Sequence, residues 1–292
     1  MKSGFFVTET ENYVTPPKKI MNLSYRLSLG LLLMITVALF SCEQKTKGGT
    51  TTPSSKDSIE EETISASQKK MEEFETLDNS SLGLVKSLHW EERVGDQSKF
   101  QEVDIYLNAD KMPVKIVEYF SDGNFAEQGE RIYYLDQNEV YAIHKRYDDW
   151  VDSNFAVFNE KQVFFENGEA VDARFRSSDY ADDIIHESWD KIRPENISNE
   201  QEVMDIINGE GRFKTHYISY IQTENAIFLL LGEPKEGDRY VTAVKVDKMT
   251  PFLEELLNNS KEYKFKPISI TFEVSGGNGQ PEFRVLTSAS WN

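Results

Sequence analysis

The side chains able to do chemistry are few: four histidines and one cysteine among 292 residues. On a helix, Asp182 and His186 would stand one turn apart and could share a metal ion. The run His186-Glu187-Ser188-Trp189-Asp190, however, lacks the second histidine of a zinc-protease helix, and an ordinary Asp–His pair on a solvated face accounts for it. His144-Lys145-Arg146 reads as a basic strand edge, with Asp148 and Asp149 close behind. His89, beside Trp90, and His216 have no partners at catalytic spacing. No serine sits in a Gly-x-Ser-x-Gly turn, and Gly276-Gly277-Asn278-Gly279 reads as a hairpin turn rather than a phosphate loop. With 50 acidic residues, any chosen pair of carboxylates is uninformative. We expect no catalytic residue, no metal site and no cofactor: the chain reads as non-enzymatic.

Cys42 is different, because of what precedes it. Lys18, Lys19 and Arg26 supply positive charge, and an apolar run of twelve residues, Leu29–Phe40, follows, broken only by Gly30 and Thr36. That is the length of a signal-peptide core, short of the roughly twenty apolar residues a spanning helix needs. Polar Glu43-Gln44-Lys45 ends it at once. Leu39-Phe40-Ser41-Cys42 resembles the lipobox of bacterial lipoproteins: aliphatic, variable, small, then the cysteine that receives diacylglycerol. The resemblance implies that 21–41 is a cleaved signal and that lipid on Cys42 tethers the chain to the outer face of a membrane. In the sorting rule of some bacterial lipoproteins, Asp after the cysteine retains the protein at the inner membrane; Glu43 in that place favours the outer membrane. Residues 1–20, with Glu9, Glu11 and Pro16-Pro17, do not suit a signal, whereas Met21 offers an internal start. We expect 1–20 to be an over-extended reading frame. With no second cysteine, the mature chain has no disulfide and no thiolate metal site.

Charge narrows the partners. The chain is formally −18, and residues 1–42 carry four basic and two acidic groups, so the cleaved chain stands at −20. Nucleic-acid affinity depends on Lys and Arg neutralising phosphates, so nucleic acid is excluded as a partner. The same charge repels an anionic bilayer surface and leaves the lipid to do the holding. Residues 42–66, rich in Thr, Ser, Gly, Lys and Glu, are too poor in apolar groups to offset chain ordering and read as a disordered tether.

The remaining residues read as mainly β (α+β), in three parts. Over 67–178 an antiparallel β-meander is expected. Val103, Ile105 and Leu107 alternate with Asp104 and Tyr106. Val114–Phe120, Arg131–Leu135, Glu139–Tyr147, Phe155–Phe158, Gln162–Phe165 and Val171–Arg176 behave similarly. Turn signals separate them at Asn108-Ala109-Asp110, Ser121-Asp122-Gly123-Asn124, Asp136-Gln137-Asn138 and Glu166-Asn167-Gly168. Paired aromatics before turns (Tyr119-Phe120, Tyr133-Tyr134, Phe164-Phe165) look like the strand–turn–strand modules of MORN-type repeat proteins, though their spacing is uneven.

Over 179–209 a helical connector is expected. Ala181, Ile184, Ile185, Ser188, Trp189 and Ile192 would share one helix face ending before Pro194. A second helix would start at the capping box Ser198-Asn199-Glu200-Gln201 and stop at Asn208-Gly209. Over 210–292, strands His216–Gln222, Ala226–Leu231 and Tyr240–Val246 precede a helix capped at Thr250-Pro251. Strands Pro267–Val274 and Glu282–Ser288 then follow. The order βββ-α-ββ resembles an OB-fold, a five-stranded barrel.

Function then reduces to binding. The arrangement is similar to envelope-stress lipoproteins that pair a β-barrel domain with an OB domain, although their Cys-x-x-Cys is absent here. It implies docking of another envelope protein through the β surfaces. The alternative is a glycan or small apolar ligand in the concavity of the meander, which an open sheet permits and a filled barrel does not. Trp90, Trp150, Trp189 and Trp291 are the stacking candidates, with Trp189 expected in the core and Trp291 at a frayed end.

Overall fold

In the computed structural model, residues 65–292 are described, apart from residues 78, 96, 124–125, 153–154 and 278–279. Cys42, the expected signal 21–41, residues 1–20 and the expected tether up to residue 64 lie outside the described residues.

The first element is helix α1 (Ala66–Glu75), whose start is fixed by the Ser65 side chain accepting the Gln68 N–H. Of its apolar side chains only Met71 is fully buried, so packing rather than propensity holds it in place. Eight strands follow: β1 (Gly83–Lys86), β2 (Trp90–Val94), β3 (Gln97–Leu107), β4 (Pro113–Ser121), β5 (Gln128–Asp136), β6 (Glu139–Asp152), β7 (Phe155–Glu166) and β8 (Glu169–Ser178). From β2 to β8 each pairs antiparallel with the next, while β1 lies on the remaining length of β3. The meander expected from the alternation is present. Gln137 and Asn138 (φ 50° and 69°), then Asn167 and Gly168 (φ 52° and 79°), form left-handed two-residue connections that match the twist of the strands they join. The segments expected as separate strands around 155–158 and 162–165 are one strand, β7. Polar Glu160 and Lys161 continue it because each finds a partner, Arg176 and Glu195 respectively.

Residues 181–192 are not the expected helix. Only a single 3-10 turn, Ile184–His186, forms, and the chain then becomes a short strand, β9 (Asp190–Lys191), on the edge of β8. The Ile192 N–H donates to the Ala173 carbonyl at 3.0 Å, and Arg176 donates to the carbonyls of Ile185 and Glu187 at 3.3 and 3.5 Å. A lone helix of that length is marginal, so these partners decide the conformation. The second expected helix exists as α2 (Glu200–Asn208), stopped by Gly209 at φ 62°. Its cap is Asn199 rather than a Ser198 box: Asn199 donates to Glu118 at 3.0 Å and to Glu202 at 2.6 Å, tying the helix start to the sheet.

The C-terminal strands are β10 (His216–Gln222), β11 (Ile227–Gly232), β12 (Tyr240–Val246), β13 (Ile268–Gly277) and β14 (Gln280–Trp291). Helices α3 (Pro251–Asn258) and α4 (Ser260–Tyr263) intervene, and Thr250 caps α3 by accepting the Leu253 N–H. β10, β11 and β12 pair in sequence; β14 joins β12 in parallel and β13 in antiparallel sense. The ring is drawn shut by a bridge from His216 to Pro267 and by the Ile268 N–H donating to Thr215 at 3.0 Å. This is the βββ-α-ββ order read from the sequence.

The sheet does not stop at the barrel. β12 also pairs with β2 through Tyr240–Glu92 and Val241–Glu91, so all fourteen strands belong to one sheet, and Trp90, Phe213 and Tyr240 stack edge-on across the junction. One meander face, carrying Ile116, Tyr133, Ile143 and Val163, belongs to the main core together with α2 and the barrel. The other face packs Val117, Ile132, Tyr134, Ala142 and Phe164 under Met71 of α1.

Candidate functional groove

The α1 face becomes a site because antiparallel register lines up its side chains in rows across the strands. Reading from β5 to β7, Tyr134, Ala142 and Phe164 form an apolar row covered by α1. Next come Ile132, His144 and Gln162, with Arg174 continuing on β8. A third row runs Tyr119, Glu130, Arg146, Glu160 and Arg176 across five strands. The fourth runs Phe100, Ser121, Gln128, Asp148 and Phe158.

The third and fourth rows are left open beyond the end of α1. Glu130, Arg146 and Glu160 of the third row and Gln128 and Asp148 of the fourth floor a groove of about 460 Å³, walled by Phe100 and Tyr119 and by Phe158, and bordered by Ala181 and Ile184 of the turn after β8. The groove runs close to backbone at Gly129: a Cβ there would stand 2.1 Å from the Arg146 carbonyl oxygen. No serine, threonine, cysteine, lysine or histidine lines it.

Charges in the third row are paired. Arg146 donates to Glu130 at 3.0 Å, and Arg176 holds Glu160 through two bonds of 2.8 and 2.6 Å. Behind them His144, almost wholly buried, stands with one ring nitrogen 3.6 Å from Glu75 of α1 and the other 3.6 Å from Glu160. These are ion-pair rather than hydrogen-bond distances. Interaction with His144, helped by the Tyr134 hydroxyl, holds the Glu75 carboxyl down to about 2. For Glu160, burial acts to raise the carboxyl, but His144 and Arg176 outweigh it and bring it to about 2. Burial pushes the Tyr119 phenol above its ordinary range, so it is a neutral hydroxyl beside the groove. Asp148 is the exception in this scheme, its bonded partner being the Gln128 amide at 3.3 Å.

The residues singled out from sequence are scattered. His186 and Asp182 are exposed, and the helix that would align them is absent. His89 bonds Glu102 at 3.1 Å and stacks on Phe100; His216 sits at the closure of the barrel. His144-Lys145-Arg146 is not an edge: β6 is central, and the three side chains alternate between its faces. Trp90 is core, and Trp150 is half-buried on β6. Trp189 is not in the core but half-buried over Arg174 and Arg176, 4.6 and 4.4 Å from ring centre to guanidinium. Trp291 is not frayed: it lies in β14, packed edge-on with Phe252 and Tyr263. Among the described residues, no group of three or more His, Cys, Asp or Glu could hold a metal, and no helix is long and apolar enough to cross a membrane.

From the sequence, Tyr119, Arg146, Asp148, Ala181 and Ile184 are read only as parts of strands, a basic edge or a helix face, which does not bring the groove residues together. Their signal was the alternation of polar residues along successive strands (Gln128 and Glu130, Arg146 and Asp148), which reads equally well as a solvated face. Comparison with protein-family models, with curated proteins and with solved structures found no match.

Proposed function

We propose that this chain is a lipid-anchored, non-enzymatic binding protein of a bacterial cell envelope, and that it holds a small sugar-like ligand in the groove on the α1 face. The carrying observation is the groove itself: three half-buried aromatic rings around a floor of Gln128, Glu130, Arg146 and Asp148. Aromatic faces take the apolar faces of a sugar ring, and fixed carboxylate, amide and guanidinium groups take its hydroxyls. The floor is preorganised by its own ion pairs, which lowers the ordering cost of binding. The anchor rests on the ordered basic, apolar and cysteine segments that end at Cys42.

Docking of another envelope protein is the second reading. It is favoured by Tyr180 and Ile185, 70% and 65% exposed on the turn that borders the groove.

Trp189 offers a direct test. It lies over Arg176, which bonds Glu160 in the groove, so occupancy should change its fluorescence. Titration with envelope glycan fragments should give a saturable change that Trp189→Phe removes. No change with any fragment, together with an envelope protein crosslinked at Tyr180, would favour the docking reading instead.

A further inference from the structure

Resting on the groove reading, we infer a finer point: the ligand carries a cationic amine, so that its chemical class is a sugar with a free ammonium group rather than a neutral or acidic glycan. Two features point to this. Every carboxylate of the third row has a cation: Glu130 has Arg146 and Glu160 has Arg176, while Glu102 in the middle of β3, which continues the row beyond Tyr119, has Arg284. In the fourth row Asp148 has only the neutral Gln128 amide, and among the described residues no Lys, Arg or His pairs with it.

The surroundings of Asp148 fit a cation. Phe158 is its direct cross-strand neighbour, and Phe100 closes the far end of the same row. A positive group seated there meets a carboxylate and the negative faces of aromatic rings together, in a groove partly shielded from water. A neutral sugar would leave the Asp148 charge unanswered. An acidic one would also be repelled by a chain of net charge −18.

The test compares two probes that differ only at nitrogen: the trimer of glucosamine and its fully N-acetylated counterpart, titrated calorimetrically into the full chain in detergent. The amine-bearing trimer should bind at least about tenfold tighter, roughly one partly shielded ion pair. That advantage should shrink in about 1 M salt. Asp148→Asn should abolish the advantage, bringing the amine-bearing trimer down to the affinity that the same variant shows for the N-acetylated trimer. Asp149→Asn, on the opposite face and exposed, should preserve it. An unchanged melting temperature for both variants keeps folding out of the comparison. If both trimers bind equally and Phe158→Ala weakens both, the cation inference falls and the groove reading stands. If Asp149→Asn removes the advantage as well, general charge is responsible and the inference falls. If neither trimer, nor any neutral glycan, binds in a Phe158-dependent way, the groove reading falls with it.

Discussion

Removing the Glu118 carboxylate should destabilise the fold more than removing both that carboxylate and its cation. Glu118 is fully buried and accepts hydrogen bonds from Arg131, from the Tyr133 hydroxyl at 3.0 Å and from the Asn199 amide at 3.0 Å. It is the point where α2 is tied to the meander. Glu118→Ala leaves Arg131, with a side chain only 12% exposed, without its counter-charge. Loss of one member of a buried pair costs about 3–5 kcal/mol. For a domain of this size each kcal/mol lowers the melting temperature by about 2–4 °C, so the expected fall is about 6–20 °C. The double variant Glu118→Met/Arg131→Met removes both charges and roughly keeps their volume, so it should regain most of the loss. Thermal melting and urea titration of the wild type, both single variants and the double variant measure this directly. A Glu118→Ala shift in melting of less than about 2 °C, or a double variant that loses as much as Glu118→Ala alone, would refute this.

Three further outcomes are expected. Glu75 and Glu160 titrate near 2 when folded, against 4.5 for an unperturbed carboxyl, so their stabilisation is present above about pH 4.5 and is lost as pH falls toward 2. For buried Glu160 this is on the order of 3 kcal/mol, and for half-exposed Glu75 much less; a urea midpoint that stays flat across that window contradicts it. Gly129→Ala should force β5 and β6 apart, because the new Cβ would stand 2.1 Å from the Arg146 carbonyl. The expected penalty is about 1–3 kcal/mol, with weakened ligand binding, and wild-type melting and calorimetry from the variant would contradict it. Cys42→Ala should move the protein from the detergent to the aqueous phase on phase separation; a wild type that is itself aqueous contradicts the anchor.

What could be read from the chain follows from which interactions are local. Strands β3 to β8 were legible because alternation is a property of neighbouring residues, and the turns at Gln137-Asn138 and Asn167-Gly168 because left-handed backbone restricts residue type. The order of the C-terminal strands was legible for the same reason, helped by the Thr250-Pro251 cap. Helix α1 was missed, since its sequence ASQKKMEEFE has little apolar periodicity and its stability comes from the sheet beneath Met71. The expected helix over 181–192 failed for the converse reason: its apolar spacing is real, but Arg174 and Arg176 draw Trp189 onto the sheet instead. The groove was hidden because Glu130, Arg146 and Glu160 meet only through the registers of β5, β6 and β7, which bulges shift by one residue at Tyr134–Leu135 and Trp150–Asp152. Period-two polarity placed these residues on one face, and only the pairing placed them in one row.

If the open rows on the α1 face hold the ligand, binding should protect the strands that form them. Hydrogen–deuterium exchange of the full chain, with and without saturating glucosamine trimer, tests it most directly. Amides across 128–130, 146–148 and 158–160 should exchange more slowly with ligand bound, while β10 to β14 stay unchanged. Slowing confined to the C-terminal strands, with the groove strands unaffected, would contradict the account.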